Sequence, residues 1–151
     1  GRNVIVCRTF SKIYGLAGLR VGYGIAKPEL VEVMNKVRQP FNVSMVAQSA
    51  ARASLKDKDH VEKSIKVNTE GKEYLYDELK KIGLDYVPSE DNFILVHLYR
   101  SGPQVMKEML KYGVIVRPLV GYELPNSIRV TIGTRDQNER FISSLKAVLG
   151  K

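Results

Sequence analysis

Tryptophan is absent from the 151 residues, cysteine occurs once and histidine twice. Each shortage removes a class of function. A lone cysteine cannot close an internal disulfide, so a disulfide-stapled secreted scaffold is excluded. Inside the apolar run Val4-Ile5-Val6-Cys7 that cysteine reads as a small core residue. His60 and His97 with one thiol make no metal-ligand constellation, so no metal is expected. No run approaches the roughly 18 apolar residues of a membrane span, and no amino-terminal charged-then-apolar segment marks secretion. The expectation is a cytoplasmic protein without a membrane partner. A G-x-G-x-x-G dinucleotide fingerprint is also missing, although Gly15, Gly18 and Gly22 make a compact loop that lets backbone approach a ligand.

Charge is present in excess of one sign. The formal net charge is +8, which raises nucleic acid as a partner. The cations are nevertheless mixed with acids, as in Lys56-Asp57-Lys58-Asp59-His60-Val61-Glu62-Lys63, which reads as a solvated face rather than a basic stripe. Nucleic-acid binding is not expected, and anionic small molecules explain part of the charge. The 44% apolar content suffices for a real core.

One stretch carries chemistry: Arg8-Thr9-Phe10-Ser11-Lys12-Ile13-Tyr14-Gly15-Leu16-Ala17-Gly18-Leu19-Arg20-Val21-Gly22-Tyr23. The unbroken apolar run before it predicts a central parallel strand covered on both faces. Lys12 then sits at the strand's carboxyl end, where open α/β sheets bind ligands. A lysine there, partly desolvated and near another cation, is expected to have its ammonium pKa lowered and its amine made available to an aldehyde. Ser11 offers a hydroxyl and Arg20 a planar guanidinium that grips two oxygens, so the layout suits an aldehyde cofactor carrying a phosphate.

Downstream, Pro28 and Glu29 open a helix with Leu30, Val33, Met34 and Val37 at helical spacing, stopped by Pro40. Ser44 caps a second helix, Met45 to Leu55, whose alanines permit close packing. The charged stretch Lys56 to Asp59 is the expected boundary. Asp59 with Glu62 forms a capping-box pattern, and Val61, Ile65, Leu75, Leu79 and Ile82 trace one face of a long helix ending at Gly83. Asn92 to Leu98 reads as a strand. Ser101 with Gln104 caps a helix with Val105, Met106, Met109 and Leu110 as its core face, ended by Gly113. Val114-Ile115-Val116 and Ile128-Arg129-Val130-Thr131-Ile132 are two further strands, and Thr134 with Gln137 opens a final helix bearing Phe141, Ile142, Leu145, Val148 and Leu149. In the last strand, period-two alternation sets Arg129 and Thr131 opposite the apolar Ile128, Val130 and Ile132. An arginine between such neighbours is costly unless it meets an anion. That anion is either an acid of its own lobe or a ligand, and the same choice applies to Arg117.

The Lys12 stretch resembles the lysine signature of the pyridoxal-phosphate enzymes of the aspartate aminotransferase superfamily, and within it most closely the histidinol-phosphate aminotransferase family. The resemblance continues in order through Gln39-Pro40-Phe41-Asn42-Val43, Pro88-Ser89-Glu90-Asp91-Asn92-Phe93-Ile94-Leu95-Val96, Gly113-Val114-Ile115-Val116-Arg117-Pro118-Leu119 and Ile128-Arg129-Val130-Thr131-Ile132-Gly133-Thr134. It implies an α/β fold in which residues 1–57 end the large pyridoxal-phosphate-binding domain and residues 58–151 form a small α+β carboxyl-terminal domain that contacts substrate. It implies Lys12 as the catalytic residue, Ser11, Lys12 and Arg20 as cofactor contacts, and Arg117 and Arg129 as contacts to the phosphate of histidinol phosphate, with Arg129 also taking the carboxylate of glutamate.

The implied activity is transfer of an amino group between L-histidinol phosphate and 2-oxoglutarate in histidine biosynthesis, by a homodimer when full length. Aromatic amino-acid aminotransferases and threonine-phosphate decarboxylase are the related alternatives. In that superfamily the residues that stack on the cofactor ring lie before the lysine. The chain is therefore expected to be the carboxyl-terminal portion of a longer enzyme, inactive alone, with an apolar face of its first strand left open.

Overall fold

The computed structural model describes residues 3–151, in two compact units that divide between Ile65 and Lys66. In the first unit, strand β1 (Val6–Thr9) pairs antiparallel with β2 (Gly22–Ile25), from Val6 opposite Ile25 to Thr9 opposite Gly22. Two expectations are corrected: the first strand is not part of a parallel ladder among the described residues, and Cys7 is exposed rather than a core residue. All four residues of the strand are exposed, in line with the open apolar face expected of it. An apolar run states that a strand wants cover, but not which segment supplies it. Val4, Ile5, Val6 and Ile25 accordingly lie open, the last at 61% exposure.

Helix α1 (Pro28–Val37) starts with Pro28 in its first turn, where the missing N–H costs nothing. Its expected core face is not covered: Val33, Met34 and Val37 are exposed, the last at 82%. Helix α2 (Met45–Ser54) is capped as expected, the Ser44 Oγ accepting from the Ala47 N–H at 3.1 Å. Its small residues Ala47 and Ala51 are buried against Phe10 and Val21, with Tyr14, Leu16, Leu19 and Val43 packed around them. A small core of this unit thus sits under the Lys12 loop.

Helix α3 (Lys58–Lys81) carries the chain from one unit into the other. Its first turn is satisfied by Asp57, whose Oδ1 accepts from the His60 N–H at 3.1 Å. The cap therefore lies at Asp57 rather than Asp59, because the helix begins two residues before the Asp59-Glu62 pattern placed it. Leu75 and Leu79 are fully buried, while Ile65 on the same predicted stripe is exposed.

The second unit is a four-stranded antiparallel sheet in the order β3 (Tyr86–Val87), β4 (Phe93–His97), β6 (Leu124–Thr131) and β5 (Arg117–Leu119). Ile94, Val96, Ile128 and Val130 of its inner face join Leu75 and Leu79 of α3, Val105 and Met109 of α4 (Gly102–Met109) and Phe141, Ile142 and Leu145 of α5 (Arg135–Leu149) in one core. Each fully buried aliphatic side chain contributes about 1.5–3 kcal/mol. The strand expected at 114–116 is displaced to Arg117–Leu119, since Gly113 adopts a left-handed φ of 70° and the following residues only lead into the ladder. Ser101 makes no side-chain cap, whereas the Thr134–Gln137 box is present.

Gly102 opens α4 against β6. A Cβ there would lie 2.6 Å from the Ser127 carbonyl oxygen and 3.2 Å from that of Pro125. Both are ladder backbone and cannot move cheaply. Gly102→Ala is expected to lower stability by about 1–3 kcal/mol, read as a shift of the denaturant midpoint; an unchanged midpoint would contradict this packing.

Candidate active site

Ser11, Lys12 and Arg20 all lie on the loop from Phe10 to Val21, whose ends are held by the Thr9–Gly22 pair and by the Phe10 N–H donating to Val21 O at 3.1 Å. The sequence makes this loop fold on itself. Gly15 takes a left-handed φ of 69° and donates its N–H to Lys12 O at 2.8 Å, and the Leu16 N–H donates to Phe10 O at 3.0 Å. Phe10 is buried beneath, 5.0 Å from the Tyr14 ring and 5.8 Å from the Tyr23 ring between centroids. The loop is thereby pinned from below with its polar side chains outward.

Lys12 is exposed and so is Arg20. The desolvation expected at Lys12 is therefore not supplied by the described residues. The Thr9 hydroxyl donates to Ser11 Oγ at 2.9 Å and accepts from the Ser11 N–H at 3.0 Å, which leaves the Ser11 hydroxyl proton for another acceptor. Arg20 adopts φ 52°, a left-handed conformation costly for a residue with a Cβ, and spends one donor on Ala17 O. No carboxylate lies in the stretch from Arg8 to Tyr23. Lys12 and Arg20 are thus exposed without an acid of their own segment to neutralise them.

One contact escaped the sequence entirely. The His60 Nε2 lies 3.0 Å from Ile13 O, so the first turn of α3 ties down the residue after Lys12. The two are 47 positions apart, and no local pattern announces the pairing.

Arg117 and Arg129 occupy the outer face of the second unit's sheet. They are register partners across β5 and β6, so two like charges stand directly opposite each other. Among the described residues neither is within 4.0 Å of a carboxylate; the ion pairs there are Lys66–Glu70, Lys81–Glu78, Arg100–Glu108, Arg135–Glu139 and Lys146–Glu78. The alternative in which each arginine is neutralised by an acid of its own lobe is thus not met. Each guanidinium instead lies over an aromatic ring: Arg129 over Phe93 at 4.7 Å and Arg117 over Tyr122 at 5.9 Å. Neither guanidinium has its N–H fork engaged by a carboxylate of the described residues, so both keep donors for an anion. The structure puts the lysine loop in one unit and the arginine pair in the other.

Comparison with known proteins follows the same lines. The family of class I and II aminotransferases matches residues 1–145. A relative from Moorella thermoacetica named histidinol-phosphate aminotransferase is 56% identical over 149 residues, covering 97% of this chain and 38% of the relative. The histidinol-phosphate aminotransferase structure from Clostridium acetobutylicum superposes with a TM-score of 0.90 at 26% identity, over 97% of this chain and 46% of that one. The Sinorhizobium meliloti histidinol-phosphate aminotransferase, solved in complex with pyridoxal-5'-phosphate, gives 0.81 at 26% identity, over 97% of this chain and 41% of that one. The chain thus spans less than half the length of each of these relatives. A match over nearly every residue, on an α/β fold shared with aminotransferase structures, means that this chain belongs to the class I and II aminotransferase family.

Proposed function

We propose that the whole protein to which this chain contributes is a pyridoxal-phosphate-dependent histidinol-phosphate aminotransferase, moving an amino group between L-histidinol phosphate and 2-oxoglutarate. The observation that carries the substrate is the Arg117–Arg129 register pair without an acid. Two forked guanidiniums suit a dianionic phosphate better than a single carboxylate. The identity to the Moorella relative supports the same reading.

The residues present fit the cofactor. Ser11 has a free hydroxyl proton and Arg20 free N–H groups for a phosphate, and Lys12 is an accessible primary amine between them in sequence. When bound, pyridoxal phosphate supplies an aldehyde for amines and a ring that accepts an electron pair from the substrate carbon. Lys12 would hold the cofactor through its Nζ, and that amine, when free, would be the general base that takes a proton from the substrate carbon. Arg117 and Arg129 orient the substrate through its phosphate, and Arg129 takes the carboxylate of glutamate in the second half-reaction. In this reading residues 1–57 close the large domain and 58–151 form the small one, and the full-length enzyme is a cytoplasmic homodimer, as the superfamily resemblance implies.

The test compares substrates in the full-length protein. With 2-oxoglutarate as acceptor, kcat/KM for L-histidinol phosphate should exceed that for phenylalanine by about 10- to 100-fold, the worth of a charge-assisted contact. Equal turnover of phenylalanine, or release of carbon dioxide from threonine phosphate, would reassign the substrate.

A further inference from the structure

We propose that Phe93 is a positioning residue for the anion site, holding the Arg129 guanidinium in place without occupying its hydrogen-bond donors. The inference rests on the reading of Arg129 as an anion contact given above.

Arg129 needs such a partner because of its register. Arg117 stands opposite it on β5, so like-charge repulsion pushes the two guanidiniums apart, and Leu95 stands opposite it on β4 and offers no polar atom. Phe93 pairs with Thr131, one diagonal step from Arg129 on the same outer face. An aromatic ring reaches across that diagonal, and the Arg129 Cζ lies 4.7 Å from the ring centroid. A carboxylate in that position would fix the arginine equally well but would consume its N–H fork. A ring attracts the cation through its negative face and leaves the N–H edges free. Phe93 itself is only half-buried and is not one of the residues of the core behind the sheet. Its ring is therefore not accounted for by packing of the hydrophobic core. Tyr122 stands in the same relation to Arg117, at the longer distance of 5.9 Å, and the closer pair decides the proposal.

The experiment uses the full-length enzyme with Phe93→Leu, Phe93→Tyr, pentafluorophenylalanine placed at position 93, and Arg129→Ala in parallel. Loss of the ring is expected to raise KM for both L-histidinol phosphate and glutamate by about three- to tenfold, with kcat held within about twofold. The inhibition constant of inorganic phosphate should rise by the same factor. Phe93→Tyr keeps the negative ring face and should retain the parent constants. The pentafluoro ring keeps the shape but reverses the face potential, so it should behave as Phe93→Leu does; it carries the test alone if the leucine variant does not fold. Unchanged KM values in the leucine and pentafluoro proteins, with Arg129→Ala impaired, would overturn the role of Phe93 alone. A fall in kcat without a change in KM would do the same. If Arg129→Ala leaves both KM values unchanged, the anion-site reading itself fails.

Discussion

Lys12→Ala in the full-length protein is expected to remove amino transfer, by at least the 10²- to 10⁴-fold, roughly, that a positioned general base contributes, while leaving the fold intact. Both halves of that expectation come from its place on the loop. In the proposed reading its amine would be the group offered to the aldehyde and, when free, the base for the substrate proton. No other residue of the loop carries a primary amine. Its side chain is exposed and contributes nothing to the buried cluster of Phe10, Val21, Ala47 and Ala51. The thermal midpoint without cofactor should therefore stay at the parent value. Borohydride reduction followed by peptide mapping should place the cofactor on Lys12, and the alanine protein should lose the visible absorbance of lysine-bound cofactor. Arg20→Ala should behave differently, binding the cofactor more weakly while keeping the reacting amine, because it removes a charged phosphate contact. Attachment at another lysine would overturn the assignment of the site.

Arg129→Ala is expected to raise KM for histidinol phosphate and for glutamate together, each by about 10- to 100-fold, since a hydrogen bond to a charged group is worth roughly 1.5–3 kcal/mol. Sharing is the point of the prediction. Arg129 sits in the middle strand pair of the sheet, between Leu95 and Arg117, and has no acid to release when an anion arrives. Arg117, on the edge strand and more exposed, is expected to serve the phosphate more than the carboxylate. Arg117→Ala should accordingly impair histidinol phosphate more than glutamate. Steady-state kinetics with each substrate varied in turn decides it: an Arg129→Ala effect confined to one substrate would end the shared-site account.

The features that were legible beforehand are those written in short segments. Ser44 with Ala47 and Thr134 with Gln137 are separated by three positions, so a helix start can be read from neighbours alone. The slip from Asp59 to Asp57 has the same origin. Two acids two residues apart both satisfy the local rule, and the hydrogen bond to the His60 N–H selects one. Gly113 reads as the helix end and does close the short 3-10 turn Leu110–Tyr112 that follows α4, but the ladder begins at Arg117, where register with β6 takes hold. A strand is defined by its partner, and the partner lies well away along the chain.

Burial was the least legible quantity. Val4-Ile5-Val6-Cys7 and the stripe Leu30, Val33, Met34 and Val37 have the composition of core, as do Leu75, Leu79 and Ile94, yet only the latter group is enclosed. The difference is the set of helices packed over one sheet and not the other. In the candidate site, the reactive types and their order along the chain were fixed by the sequence itself: Ser11, Lys12 and Arg20 on one loop, Arg117 and Arg129 on strands. Helix starts, the turn at Gly15 and the alternation that turns Arg129 away from Ile128 and Val130 belong with them, because each depends on interactions within a few residues. Tertiary structure alone decided that Arg117 faces Arg129, that Phe93 rather than a carboxylate lies beside it, and that His60 holds the residue after Lys12. Those are meetings of distant segments, set by strand register and helix packing, and no local preference encodes them.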